Sequence, residues 1–100
     1  PSQPPAEESV RAPHRPDRAA GRRRQKDQAR LEELEAGIAA VEREISSFEE
    51  SYADPAVARD GDKMRAVRSE IEGRKRTLSA MMGEWEELLR RLAEEEPAVR

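Results

Sequence analysis

Residues 31–52 read LEELEAGIAAVEREISSFEESY and residues 64–92 read MRAVRSEIEGRKRTLSAMMGEWEELLRRL. In the first stretch Leu31, Leu34, Ile38, Val41, Ile45, Phe48 and Tyr52 alternate in steps of three and four. In the second, Met64, Val67, Ile71, Arg74, Leu78, Met81, Trp85, Leu88 and Leu92 do the same, and only Arg74 among these sixteen positions is polar. That spacing is the seam of a left-handed coiled coil, and the break between the stretches is where a chain turns back on itself. The sequence therefore predicts an all-α fold, an antiparallel two-helix coiled-coil hairpin preceded by a disordered basic linker.

Local signals set the expected boundaries. The first helix is expected over 27–52, with Asp27 as its cap and Glu32, Glu33 and Glu35 suiting the positive end of the helix dipole. Asp54-Pro55 ends it, because proline lacks an amide proton and disfavours helix at the residue before it. The connection is expected over 53–61, with one short turn capped by Asp54, and Asp60 or Asp62 caps a second helix over 62–95. Residues 1–26 are read as a Pro/Arg-rich flexible linker, 27–96 as the hairpin and 97–100 as a tail. Pro4, Pro5, Pro13 and Pro16 and the lack of apolar periodicity support the linker reading. The first residue is Pro1 rather than methionine, which suggests a piece of a longer protein.

Composition narrows the function classes. With 41% charged residues, 35% hydrophobic residues and three aromatics, a chain of 100 residues cannot fill a multilayered globular core, whereas a thin helical seam suits it. No cysteine is present, which removes disulfides, thiolate metal sites and cysteine nucleophiles. No apolar run approaches the roughly 20 residues of a membrane span, so a soluble protein with no membrane partner is expected, and the lack of cysteine leans toward the cytoplasm. His14 stands alone beside Arg11 and Arg15, no phosphate-binding glycine loop occurs, and the Glu32-Glu33-Glu35 and Glu94-Glu95-Glu96 clusters read as solvated faces. No catalytic, metal or cofactor residue is assigned, and the chain is not expected to be an enzyme.

Charge is segregated along the chain behind a formal net value of -3. Residues 11–30 hold eight Arg or Lys against two Asp, residues 31–55 hold eight Asp or Glu against Arg43 alone, and from Ala56 onward the signs balance at ten each. Antiparallel pairing sets a register in which facing seam residues have numbers adding to 115 or 116, so that Ile45 meets Ile71, Val41 meets Arg74 and Leu31 meets Trp85. Glu49 then lies opposite Arg68, Glu42 opposite Lys75 and Arg30 opposite Glu84, while Glu44 faces Glu70. Arg74 is expected to lay its stem along Val41 and place its guanidinium between those two carboxylates. Trp85 reads as a core plug rather than a base-stacking platform. Leu88 and Leu92 overhang opposite Asp27 and Arg24, so either the first helix extends back through residues 22–26 or another surface covers them.

The basic residues are the remaining functional signal. Arg22, Arg23, Arg24, Lys26 and Arg30 before the acidic helix, and Arg59, Lys63, Arg65, Arg68, Lys75 and Arg76 toward the hairpin tip, are the nucleic-acid-binding candidates. Such contacts would be salt-sensitive and largely independent of sequence. The competing reading is a solubilising linker plus intrahelical ion pairs such as Glu72 with Arg76.

Residues 27–35, the run 38–45, the connection Tyr52-Ala53-Asp54-Pro55 and the segment Gly83-Glu84-Trp85-Glu86-Glu87-Leu88 resemble the C-terminal coiled-coil domain of ABC-F proteins, over about residues 22–95. Ala56, Val57 and Ala58 depart from that family, in which a bulkier or aromatic residue commonly follows the proline. The resemblance implies an accessory domain of a cytoplasmic tandem-cassette ATPase acting on ribosomes or branched DNA. Its ATP and Mg would be bound by the cassettes, elsewhere in the parent protein, and the hairpin could contact those cassettes intramolecularly. The resemblance carries over no site residues. The hairpin also resembles the first domain of class I peptide release factors and the C-terminal arm of valyl-tRNA synthetase, both acting in translation. Two functions remain: a nucleic-acid-contacting hairpin, with DNA or ribosomal RNA as partner, or a structural or protein-interaction hairpin. A monomeric hairpin is favoured over a dimer.

Overall fold

The computed structural model describes residues 14–95 of the chain, with side-chain surroundings from Arg18 onward. Three helices follow one another: α1 over His14–Ser51, α2 over Pro55–Ala58 and α3 over Gly61–Glu95. The two long helices pack against each other and the described residues contain no strand, so the hairpin expected from the seam is the fold.

Every seam position from Leu31 to Tyr52 and from Met64 to Leu92 is buried or half-buried, while most of the residues between them are exposed. Only Leu34, Ile45, Ile71 and Leu88 fall fully inside, at 1%, 8%, 6% and 3% exposure. A two-helix rod covers one face of each helix, so its core is a line of residues rather than a volume. Arg74 interrupts that line. Its Nε donates to Glu44 at 3.1 Å and its guanidinium also pairs with Glu70, which places it between the two like charges as the register requires. The guanidinium carbon lies 5.0 Å from the centroid of the Phe48 ring, a cation–π contact that desolvates the cation without isolating it.

The connection is built from aspartates. After i to i−3 hydrogen bonds from Tyr52, Ala53 and Asp54 tighten the end of α1, Asp54 takes an extended conformation and its Oδ1 accepts the Ala56 N–H at 2.9 Å. Pro55 opens α2 at a position where its missing donor costs nothing. Val57 is half-buried, so the small residues after the proline close the tip as a single turn. Asp60 then caps α3, its Oδ1 accepting the N–H groups of Asp62 and Lys63 at 3.0 and 3.2 Å. Among the described residues none adopts a positive φ, so the reversal is made by capping alone. At Gly37 the Met81 methyl occupies the space a Cβ would take, which lets the helices approach closely there.

The start of α1 differs from expectation. The helix begins at His14 rather than Asp27, so residues 14–26 are helical and not a flexible linker; residues 1–13 lie outside the described part. Pro16 falls in the first turn, where amide protons have no intrahelical partner, and so does not oppose the helix. Packing supplies what the apolar pattern lacks. Leu88 is buried and Leu92 half-buried, and Asp27 pairs with Arg91 at 2.7 Å, so the extended α1 covers the two leucines that otherwise overhang. No second protein surface is required for them.

The flanking charges are realised in part. Arg30 and Glu84 pair across the helices, but among the described ion pairs neither Glu42 with Lys75 nor Glu49 with Arg68 occurs, nor does the intrahelical pair Glu72 with Arg76. Holding two long exposed side chains in one geometry gains little in high dielectric. The interhelical pairs that do form have residue numbers adding to 114 for Arg30–Glu84 and 118 for Arg74–Glu44 and Asp27–Arg91, within one turn of the predicted register.

Candidate nucleic-acid interface

The eleven candidate cations separate into two groups and a few isolated residues. Arg22, Arg23 and Lys26 are exposed on α1 at the open end of the hairpin, while Arg59, Lys63, Arg65 and Arg68 lie at the tip. With about 27 residues of α3 between the two levels, the groups stand roughly 40 Å apart at ~1.5 Å per residue. Lys75 and Arg76 are exposed between them. The structure therefore does not gather the candidates into one patch.

Several are committed to contacts within the chain. Arg30 donates through Nε and Nη2 to the two Glu84 oxygens at 2.8 and 3.0 Å, and through Nη1 to Glu33 at 3.1 Å. These carboxylates push the Arg30 guanidinium above its ordinary value, Glu84 contributing most, and Arg30 in turn holds Glu84 below the ordinary carboxylate range. Arg65 is paired with Asp62 in the first turn of α3. Arg24 is half-buried at the level of Leu92 and engaged within the chain. These three are poorly placed to receive a phosphate.

Helical geometry gives the open-end group its form. Arg18, Arg22 and Lys26 recur at i, i+4 and i+8, which stacks them in one row on α1 with about 6 Å of axial rise between neighbours. All three are exposed, none has an ion pair among the described residues, and no acidic residue lies between Asp17 and Asp27. Arg18 was not among the sequence candidates; its four-residue spacing from Arg22 is a signal only once the segment is known to be helical. Arg23 and Lys26 also line a shallow depression with Asp27, Arg91 and Glu95. The tip group is more diluted, since Asp54, Asp60 and Asp62 stand among its cations.

The remaining polar residues serve the fold. The Trp85 indole N–H donates to Glu35 Oε2 at 3.1 Å while its ring is half-buried in the seam, in keeping with a core position. Arg90 bridges Glu87 and Glu94 along α3, the Glu94 distance being 2.6 Å, and holds Glu87 below the ordinary carboxylate range. Among the described residues no cluster of three metal-ligating side chains is assembled, and no helix is long and apolar enough to cross a membrane.

A long antiparallel coiled-coil hairpin, closed by aspartate caps and bearing exposed charge on both helices, is the form of an accessory arm. The family comparison gives that arm its class: the family model described as ABC transporter C-terminal domain matches residues 22–89, and the chain belongs to this family. It is an accessory domain of an ABC protein. No curated protein and no solved structure matches it.

Proposed function

We propose that the chain is a non-catalytic arm of a cytoplasmic ABC-F-type ATPase and contacts nucleic-acid phosphates through the α1 row of Arg18, Arg22 and Lys26, with Arg23 alongside. The observation that supports this reading is the row itself: three exposed cations at one-turn spacing with no acidic residue among them. Three such contacts release about three counterions, so binding to duplex DNA should follow a log–log salt slope near −2.7. Base identity should matter little, because contacts to phosphates position a protein on nucleic acid without reading its sequence. ATP and Mg chemistry would belong to the cassettes of the parent protein, against which the arm could also rest. The hairpin would act as a single chain, its two helices satisfying one another's seam.

The test is fluorescence anisotropy with labelled branched DNA and with a ribosomal RNA fragment across a salt series. Reversal of Arg18, Arg22 and Lys26 to glutamate should abolish binding, whereas reversal of Arg59, Lys63 and Arg68 should reduce it much less. Binding that ignores both sets of reversals contradicts the reading, and loss only on reversal at the tip moves the interface there. Preference between the two nucleic acids identifies the substrate class.

A further inference from the structure

Met82 and Leu89 are the large apolar side chains left exposed among the described residues, each at 39%. They are seven residues apart and directly follow the seam residues Met81 and Leu88, so they share the flank that carries Arg68 and Lys75 nearer the tip. Met82 forms a ridge between two shallow grooves. One lies between the helices and is lined by Glu35, Ile38, Ala39, Glu42 and Trp85. The other follows α3 past Lys75, Leu78, Ser79, Gly83 and Glu86. A ridge with a groove on either side is the surface into which a further helix packs its own ridges.

The rim of this surface is acidic. Glu35, Glu42 and Glu86 border the grooves and Glu32 lies one turn from Glu35, against Lys75 on the rim itself, with Arg43 beside Glu42 and Arg68 further toward the tip. Glu32, Glu42 and Glu86 have no ion pair among the described residues, and Glu35 is held by the Trp85 N–H. Apolar knobs within an anionic frame select a partner of opposite charge. A second copy would set acidic rim against acidic rim. The chain's own remaining segments carry no excess positive charge, since residues 1–13 hold Arg11 against Glu7 and Glu8 and residues 96–100 hold Arg100 against Glu96.

We infer that the Met82–Leu89 flank docks a cationic amphipathic helix, whose apolar residues sit in the two grooves and whose Lys or Arg residues face Glu42 and Glu86. This surface is distinct from the Arg18, Arg22 and Lys26 row and does not depend on nucleic-acid binding.

Trp85 is the only tryptophan and lines the groove, so its emission reports occupancy directly. The full chain is titrated with a synthetic amphipathic peptide of leucine and lysine, with a leucine and glutamate peptide as the comparison. A saturable change with the lysine peptide alone is expected. Met82→Glu and Leu89→Glu should each weaken it about tenfold, even though each adds negative charge, and the pair Glu42→Lys with Glu86→Lys should weaken it comparably. Helicity at 222 nm monitors folding of every variant, and the charge-reversal pair leaves the apolar ridge intact should either glutamate variant fail to fold. Unchanged or tighter binding by Met82→Glu would reduce the interaction to bulk charge attraction and overturn the inference. Equal binding of both peptides, or self-association of the chain that Met82→Glu abolishes, would overturn it too.

Discussion

Arg30 and Glu84 meet across the hairpin as a two-bond fork, Nε to Oε2 at 2.8 Å and Nη2 to Oε1 at 3.0 Å, although they are 54 residues apart in the chain. Both are about half exposed, so the fork fixes orientation more than it adds stability. Its geometry makes the acid limb of stability informative. Arg30 holds Glu84, and Arg90 holds Glu87, below the ordinary carboxylate range. A carboxylate that is more acidic in the folded state stabilises fully at neutral pH, and that contribution disappears as pH falls through its folded value. The arginines stay charged throughout. The melting temperature followed by circular dichroism should therefore fall between pH 7 and pH 3, and fall less in Glu84→Gln. A flat profile would show that neither carboxylate is bound as described.

Arg74 should behave as the centre of a three-charge group. Arg74→Ala removes the cation that separates Glu44 from Glu70 and uncovers the Phe48 ring, so it should lower the melting temperature. In a background carrying Glu44→Gln and Glu70→Gln the same substitution should cost less, because no like-charge contact is released. Equal losses in both backgrounds would leave only the Phe48 contact.

Leu34 and Leu88 are the most deeply buried of the described core residues, at 1% and 3% exposure. Truncating either to alanine should cost about 2–5 kcal/mol in urea unfolding. For a thin two-helix seam of modest stability that loss is close to complete unfolding. Leu92→Ala, at a half-buried position, should cost less. A mild effect of Leu88→Ala in the isolated chain would mean that α1 does not cover it.

Gly83 has nothing within 4 Å of the position a Cβ would occupy. Gly83→Ala should therefore stabilise the chain by about 1 kcal/mol through helix propensity alone. At Gly37 the Met81 methyl must move aside to admit the new Cβ, so Gly37→Ala should gain less than Gly83→Ala. Thermal melts of the two variants side by side test the ordering.

What was legible in the sequence follows from what each feature depends on. The seam, its register, the cap at Asp54, Asp60 as one of two candidate caps for α3 and the seating of Arg74 between Glu44 and Glu70 all rest on short-range chemistry or heptad arithmetic, and the structure contains them. The start of α1 was legible only in part: the overhang of Leu88 and Leu92 offered a helix back through residues 22–26 as one of two readings, and nothing pointed as far back as His14. Residues 14–26 offer Pro16 and a series of arginines without an apolar stripe, and the contacts that seat this end against α3 come from Arg23, Lys26 and Asp27 beside Arg91 and Glu95. The cationic row was hidden for the same reason, since an i, i+4 relation between Arg18 and Arg22 has meaning only on a helix. The Met82 and Leu89 flank has no signature of its own in the sequence, because each residue directly follows a seam position and only the packed helices show that it is left exposed.

The row exists only if α1 continues as a helix beside α3 through residues 18–26. The chain has no native cysteine, so Gln25→Cys and Ala93→Cys give a uniquely spin-labelled pair at exposed positions on the two helices. Pulsed electron spin resonance should return one narrow distribution at short distance, set by an interhelical spacing of about 8–10 Å plus the label linkers, and unchanged when labelled chain is diluted into unlabelled chain. A broad, long distribution would mean that the basic segment is a loose linker and that no ordered cationic row exists.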